Sequence, residues 1–289
     1  LKTNTTYRTL VLVDTTIKGI KADSTILNRI EYRVKLLNGA ITANTFYEIS
    51  SGLEIKKEFT FIQVPIGQGL YIHKDNNDNG LKELDEFELA PQNILYSADY
   101  IKVFVPTSDY VKTYKNQFNQ TIMLRPKAYW RTNKGVKGFL GRFTDQFSLK
   151  LDRKTNQKQA LATYNPLVFD VPDSILVAQN MALKNVISFN RASPKFGIDF
   201  VTQNSSNKTL LTAGFEQRER SYFELRPRWN LSKKILFKAA YKQGQKTLSS
   251  DFFISRNYNI DFIEINPSIT YQPNTNYRIE LDYKFSNKQ

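Results

Sequence analysis

The 289-residue chain carries 41 Lys and Arg against 27 Asp and Glu, a formal net charge of +14, with no cysteine and a single histidine, His73. That inventory excludes a disulfide framework, thiolate catalysis, zinc sites built from cysteine and any centre that needs two imidazoles. The length supports one large core or two ordinary ones, and with no run of about 18 apolar residues the sequence holds no membrane-spanning helix.

Segments 7–14, 29–37, 42–50 and 57–64 are rich in β-branched and aromatic residues and are separated by Gly, Asn, Ser and Lys clusters, which predicts four successive strands. In the second, Ile30, Tyr32 and Val34 alternate with Glu31, Arg33 and Lys35, the period of two of a strand with one buried and one wet face. The run from Tyr100 to Val105, ahead of Pro106, supplies a further strand. Residues 1–110 therefore read as one antiparallel β-domain.

Residues 75–86 interrupt that domain with the spacing of an EF-hand-like calcium loop. Asp75, Asn77 and Asn79 fall at positions one, three and five, and Gly80 supplies the bend at six. Leu81 offers its backbone carbonyl at seven, Glu83 binds at nine directly or through water, and Glu86 closes the shell at twelve. Calcium takes six to eight such hard oxygen ligands at roughly 2.4 Å. The alternative is an Asx-rich turn, which Asn and Gly favour without a metal. Tyr71 and Ile72 precede the loop in a strand-like run, so the expected role is a structural clamp and not a helix-loop-helix sensor.

Positive charge is densest over 125–158, where Lys127, Arg131, Lys134, Lys137, Arg142, Lys150, Arg153 and Lys154 meet only Asp145 and Asp152. Basic, aromatic-dotted stretches can bind nucleic acid, but no nucleic-acid motif frames this one. A solvated face, a basic pore or a lipid-facing rim accounts for it, and no nucleic-acid partner is expected. Val136, Phe139, Leu140 and Phe143 fall in a two-turn helical stripe that Gly135, Gly138 and Gly141 weaken, so a short surface or membrane-edge helix competes with irregular structure. A second helix is expected over 173–184, capped by Asp173 after Pro172. Residues 111–184 thus read as a connecting segment with short helices.

From 185 to 289 the chain alternates over long stretches. Phe223, Leu225, Pro227, Trp229 and Leu231 face one way while Glu224, Arg226, Arg228 and Asn230 face the other. Tyr277, Ile279, Leu281, Tyr283 and Phe285 oppose Arg278, Glu280, Asp282 and Lys284 in the same manner. Strands of about 9 to 11 residues with one apolar and one charged face suit a transmembrane barrel. The same pattern suits a soluble sandwich with its apolar face in a core.

Three blocks resemble a group of large Bacteroidota outer-membrane or cell-surface proteins, most of them without an assigned function. One runs from Gly67 to Lys74 into the acidic loop and ends Glu86-Phe87-Glu88-Leu89-Ala90; the second is Tyr100 to Thr107 with Asn116 to Gln120; the third is Phe189 to Gly197 with Leu210 to Glu216. The resemblance implies an exported chain with a β-rich extramembrane part followed by outer-membrane β-barrel strands. Such proteins are typically much longer, which implies an incomplete barrel here. Asp14-Thr15-Thr16, Asp23-Ser24-Thr25 and Asp173-Ser174-Ile175 are similar to the short O-glycosylation signal of that group's exports.

No catalytic signature accompanies these features. There is no Gly-x-Ser-x-Gly elbow to go with His73, and the acids Asp75, Glu83, Asp85 and Glu86 are accounted for by cation binding. Gly135-Val136-Lys137-Gly138 and Gly67-Gln68-Gly69 lack the context of a phosphate-binding loop. The expectation is a non-enzymatic β-protein of a Gram-negative outer membrane or cell surface. Its cofactor is calcium, and its partners are outer-membrane lipid and other envelope proteins in a transport or assembly complex. The rival expectation is a soluble surface adhesion or carbohydrate-binding β-module.

Overall fold

The structure, a computed structural model, describes residues 1–11, 23–76, 78–130, 134–157, 161–169, 171–211, 214–251 and 256–289, with the backbone alone at 23, 54–58, 85, 92–93, 104, 106–111 and 161–162. The chain forms β1 (Lys2–Leu10), β2 (Asp23–Leu36), β3 (Ile41–Gln63), β4 (Tyr71–His73), β5 (Phe87–Leu89) and β6 (Tyr100–Leu124). After the short helices α1 (Pro126–Trp130) and α2 (Gly135–Leu140) come β7 (Phe143–Thr155), α3 (Leu161–Tyr164), β8 (Leu176–Phe189), β9 (Phe196–Leu211) and β10 (Gly214–Asn230). The chain ends with β11 (Ile235–Ser250), β12 (Tyr258–Tyr271), β13 (Ile279–Asp282) and β14 (Phe285–Lys288). All 14 strands of the described residues belong to one antiparallel sheet in the order β1-β2-β3-β6-β7-β8-β9-β10-β11-β12-β13, with β14 also on β12 and the small β4–β5 pair beside β6.

Among the described pairings the outer strands β1 and β13 do not meet, so the sheet is open and not closed on itself. Among the described residues no helix is long and apolar enough to cross a membrane. The sheet is continuous across the whole chain, and position 110 lies inside β6.

Local chemistry explains where strands end. The β2–β3 turn is tight because Leu37, Asn38 and Gly39 all take positive φ, which Asn and Gly tolerate. The expected strands 42–50 and 57–64 are one strand, β3: Ser51 and Gly52 do not break it, because β6 pairs with it from Gln63 to Ile41 across a single irregularity at Ile55/Lys57. The expected alternating strand near the C-terminus is split into β13 and β14, which share one register on β12. The gap lies opposite Pro267, whose carbonyl accepts from the Tyr283 N–H but which has no N–H to return.

One expectation is corrected. Residues 176–189 are strand β8 and not part of a helix over 173–184; only 173–175 form a turn. Ile175, Leu176, Ala178 and Ala182 do match a helical stripe, but Ala178 and Ala182 fit one face of a strand equally well, and β7 and β9 pair with β8 on both sides. Asn180, Asn185, Val186 and Ile187 are weak helix formers, so pairing prevails over the stripe. By contrast, α2 forms where the weakened stripe of 136–143 was read, and the Phe139 ring packs at 5.5 Å from Phe143 and 6.1 Å from Phe189.

Two clusters of buried apolar residues sit near one end of the strands, while Leu151, Val201 and Phe262 are buried singly further along the sheet. Val171, Ile175, Leu176 and Phe215 form one cluster, and Tyr71, Phe87 and Tyr100, with Phe61 against them, form another. Arg153 is buried beside the first cluster. Its guanidinium donates to Gln179 Oε1 at 2.7 Å and to the carbonyls of Asn165 and Val168, which fastens the 156–175 connection to the sheet. Gly244 faces Tyr222 on one side and Phe262 on the other; a Cβ there would lie 2.1 Å from the Ser221 carbonyl oxygen, so the close approach of β10 and β11 requires glycine.

Candidate functional site

The acidic loop belongs to the 64–99 insertion, which joins β3 to β6 at the far tip of their long ribbon. Strands β4 and β5 bracket the loop, pairing His73 with Phe87 and Tyr71 with Leu89. Beneath them the Phe61 and Phe87 rings stack at 4.2 Å, while Tyr100 meets Phe87 edge-on at 4.9 Å. Lys82 Nζ donates to the Tyr100 hydroxyl at 2.7 Å and so ties the loop to β6.

Within the loop the Asp75 carboxylate accepts from the Asn79 N–H at 3.3 Å and the Gly80 N–H at 2.8 Å. Asn79 Oδ1 accepts from the Leu81 N–H at 2.6 Å, and Gly80 takes the expected left-handed bend at φ +73°. Glu86 is 1% exposed. Its Oε1 accepts from the Asn76 N–H at 3.2 Å, and its Oε2 accepts from the Glu83 N–H at 3.2 Å and lies 3.1 Å from His73 Nε2. Burial pushes the Glu86 carboxyl up, but hydrogen bonds from Glu83, His73 and Asn76 outweigh burial and the nearby Asp75 charge, so its pKa falls below the ordinary glutamate value.

Asp75, Asn79 and Glu86 are thus drawn into one hydrogen-bonded turn, with Leu81 and Glu83 exposed at its edge. Asn77 and the side chain of Asp85 lie outside the described residues, as does Asp14-Thr15-Thr16. The donor set is all oxygen, as a hard divalent cation requires, and the charge of Asp75 working against Glu86 is a repulsion that a cation would relieve. Glu86 nevertheless engages both oxygens with protein donors, and among the described residues no three Asp, Glu or His side chains gather tightly enough to hold an ion. The His73–Glu86 and Lys82–Tyr100 contacts were not legible in the sequence, because only the fold brings β4 and β6 beside the loop.

The second feature is the sheet's two faces. Residues directly opposite each other in an antiparallel pair share a face, so the register traces each face across the molecule. One row runs Leu36, Ile41, Leu124, Asp145, Ile187, Phe200, Leu225, Tyr241, Ile265 and Phe285. Asp145 is its single charge. Along β12 the same face shows Ile263, Ile265, Pro267, Ile269 and Tyr271, and along β10 it shows Phe223, Leu225, Pro227 and Trp229. Nine residues at about 3.4 Å each make this apolar belt roughly 25 to 30 Å tall. Among the described residues most of it is open: Leu36, Phe200, Trp229, Ile265, Ile269 and Tyr271 are all exposed, whereas Leu149 and Leu151 on β7 are buried and the Tyr47 hydroxyl donates to the Tyr164 carbonyl of the 156–175 connection.

The opposite face is polar and charged. Its central row reads Arg33, Asn44, Thr121, Ser148, Lys184, Gln203, Tyr222, Gly244, Phe262 and Lys288. Cross-strand ion pairs stud it, among them Arg29–Glu48 at 2.7 Å, Lys242–Glu264 at 3.6 Å and Arg226–Asp199 at 3.7 Å. Cations also stand over its two central rings: Arg220 lies 5.0 Å from the Tyr222 centroid and Lys246 lies 5.0 Å from that of Phe262. A shallow depression of about 480 Å³ on this face is bordered by Lys150, Asp152, Asn180, Arg220 and Lys246. No protein-family profile matches the chain, and comparison with curated proteins returned no significant match.

Proposed function

We propose that this chain is a non-enzymatic β-protein of a Gram-negative, Bacteroidota-type outer membrane, with its apolar belt against lipid hydrocarbon and its charged face toward water. In this reading it contributes barrel strands to a component of an envelope transport or assembly complex. The observation that carries the reading is the largely exposed belt, about nine residues tall on β12, backed across ten strands by a face of charges and amides. In water such a belt is a large unfavourable exposure, whereas its height matches the apolar band of an outer-membrane barrel, about 25 Å. Strand edges have no water to bond within a bilayer, so the free edge of β1 and the half-covered edge of β12 call for further strands to complete the wall.

Calcium in this reading clamps the 75–86 loop. Asp75, Asn77, Asn79 and Glu86 would supply side-chain oxygens, Leu81 its carbonyl, and Glu83 an oxygen directly or through water. Bound there, the cation supplies charge neutralisation and a fixed loop, with no part in a reaction.

Purification with and without detergent, followed by flotation on neutral phosphatidylcholine vesicles, tests the membrane assignment. The expected result is aggregation in buffer and co-flotation after detergent removal. A monodisperse particle in plain buffer that ignores vesicles would overturn it and favour a soluble adhesion or carbohydrate-binding module. Chelation with EGTA should lower the protease resistance of residues 64–99; an unchanged cleavage pattern would remove the clamp.

A further inference from the structure

The two ends of the strands differ in charge. The insertion at the tip, 64–99, holds seven Asp and Glu against two Lys. At the opposite end lie the connections 37–40, 125–142, 190–195, 231–234 and 272–278, and none of the five contains an Asp or a Glu. The longest, 125–142, carries six Lys and Arg. It folds into α1 and α2 and leaves Val136 75% exposed, with Tyr129, Phe139 and Leu140 also outward. Through Phe139 it touches Phe143 and Phe189, which are the last apolar positions of the belt on β7 and β8. Lys233 and Lys234 stand beside exposed Leu231 and Trp229 on the same rim.

We propose that this end of the belt seats in the anionic headgroup layer of a phospholipid leaflet. Lys127, Lys134, Lys137, Lys233 and Lys234 pair with lipid phosphates, and Val136, Phe139 and Leu140 enter the boundary between headgroups and acyl chains. This rests on the lipid-facing reading of the belt. Charge and apolar side chains share one rim, a combination that a soluble polyanion would use only in half, since it would meet the cations and leave Val136 and Phe139 in water.

Both tryptophans, Trp130 and Trp229, lie at this end, so tryptophan fluorescence, excited selectively at the red edge where the tyrosines do not absorb, reports on it alone. The chain is reconstituted with vesicles of phosphatidylcholine, or of phosphatidylcholine mixed with phosphatidylglycerol. It is compared with a Lys134→Gln, Lys137→Gln, Lys233→Gln, Lys234→Gln variant and with a charged-face control, Lys238→Gln, Lys242→Gln. Flotation on both vesicles is expected, with a preference for the anionic ones of about tenfold or more at low salt that fades as salt rises. Brominated acyl chains should quench the tryptophans. The quadruple variant should lose the preference but still float on neutral vesicles, and the control should keep both. Failure to float on any vesicle would strike the lipid-facing reading itself. Flotation without an anionic or salt-dependent preference in the unmodified chain, or a preference that only the control loses, would overturn the headgroup assignment; the salt titration decides this even where the quadruple variant does not fold.

Discussion

The 64–99 insertion and the meander from β8 to β12 treat the same kinds of side chain in opposite ways. In the insertion, Phe87 is 5% exposed and packs with Tyr71, Tyr100 and Phe61 into a small closed aromatic core. In the meander, Phe200 is 40% exposed although it lies at the centre of a sheet with partners on both sides. Backbone pairing and the contacts of the charged face hold the second region, with its belt face left open, while a closed side-chain core holds the first. The contrast shows that a strand can be fully paired and still have an unsatisfied face, so the meander's stability depends on what covers that face, whereas the insertion carries its own apolar core.

The sharpest way to break that contrast is Phe87→Ala. Truncating a buried phenylalanine costs about 3–5 kcal/mol, and the expected outcome is rapid proteolysis within 64–99 while fragments of β8–β12 persist on mass spectrometry. Phe200→Ala, compared by the same proteolysis of the detergent-solubilised chain, should cost only about 1 kcal/mol, because so much of that ring lies outside any protein core. Equal losses would erase the distinction.

Next in size, Ile265→Arg on the belt should cost roughly 2–4 kcal/mol in a bilayer, read as a fall in vesicle insertion, yet close to nothing in the insertion's protease pattern. Gly244→Ala should cost about 1–3 kcal/mol wherever the protein is held, since the new Cβ meets backbone on the neighbouring strand and not solvent. Denaturant titration in detergent and in lipid would show the same loss in both.

The smallest effect expected is a pH-dependent one. Because the folded Glu86 carboxyl lies below its ordinary value, its ionised form favours the fold. That contribution is fully present above the ordinary glutamate value, about 4.3, and is lost as the pH falls through the depressed one. Acid should therefore loosen the insertion before the sheet, and Glu86→Gln should flatten that pH dependence. Tyrosine fluorescence and proteolysis between neutral pH and acid would register it.

Much of the sheet was legible because alternation is a direct print of strand geometry: Ile30, Tyr32 and Val34 on β2 and Phe223 to Trp229 on β10 sit on one face as the period of two requires. The order of the acidic loop was legible in part, since Gly80 takes the bend its position demanded. Strand 176–189 was misread because alanine and leucine serve either period, and only pairing with β7 and β9 decides between them. Continuity of β3 through Ser51 and Gly52 was hidden for a similar reason: residues that usually mark turns are carried along by an uninterrupted partner strand. The His73–Glu86 contact and the charge difference between strand ends arise only once register and topology assign each loop to an end.

The β3–β6 ribbon has a mechanical consequence. Among the described pairings its upper half, beyond Ser50 and Tyr114, pairs with itself and, at Tyr100, with the short β4, whereas its lower half is laced to β2 from Leu27↔Ser50 to Leu36↔Ile41 and to β7 from Tyr114↔Thr155 to Leu124↔Asp145. Ladder bonds lie across the strands, so a tug on the tip runs down both strands and strains those lateral rungs in shear, all together and not one after another. The tip is therefore moored to the wall by the geometry that best resists being pulled out.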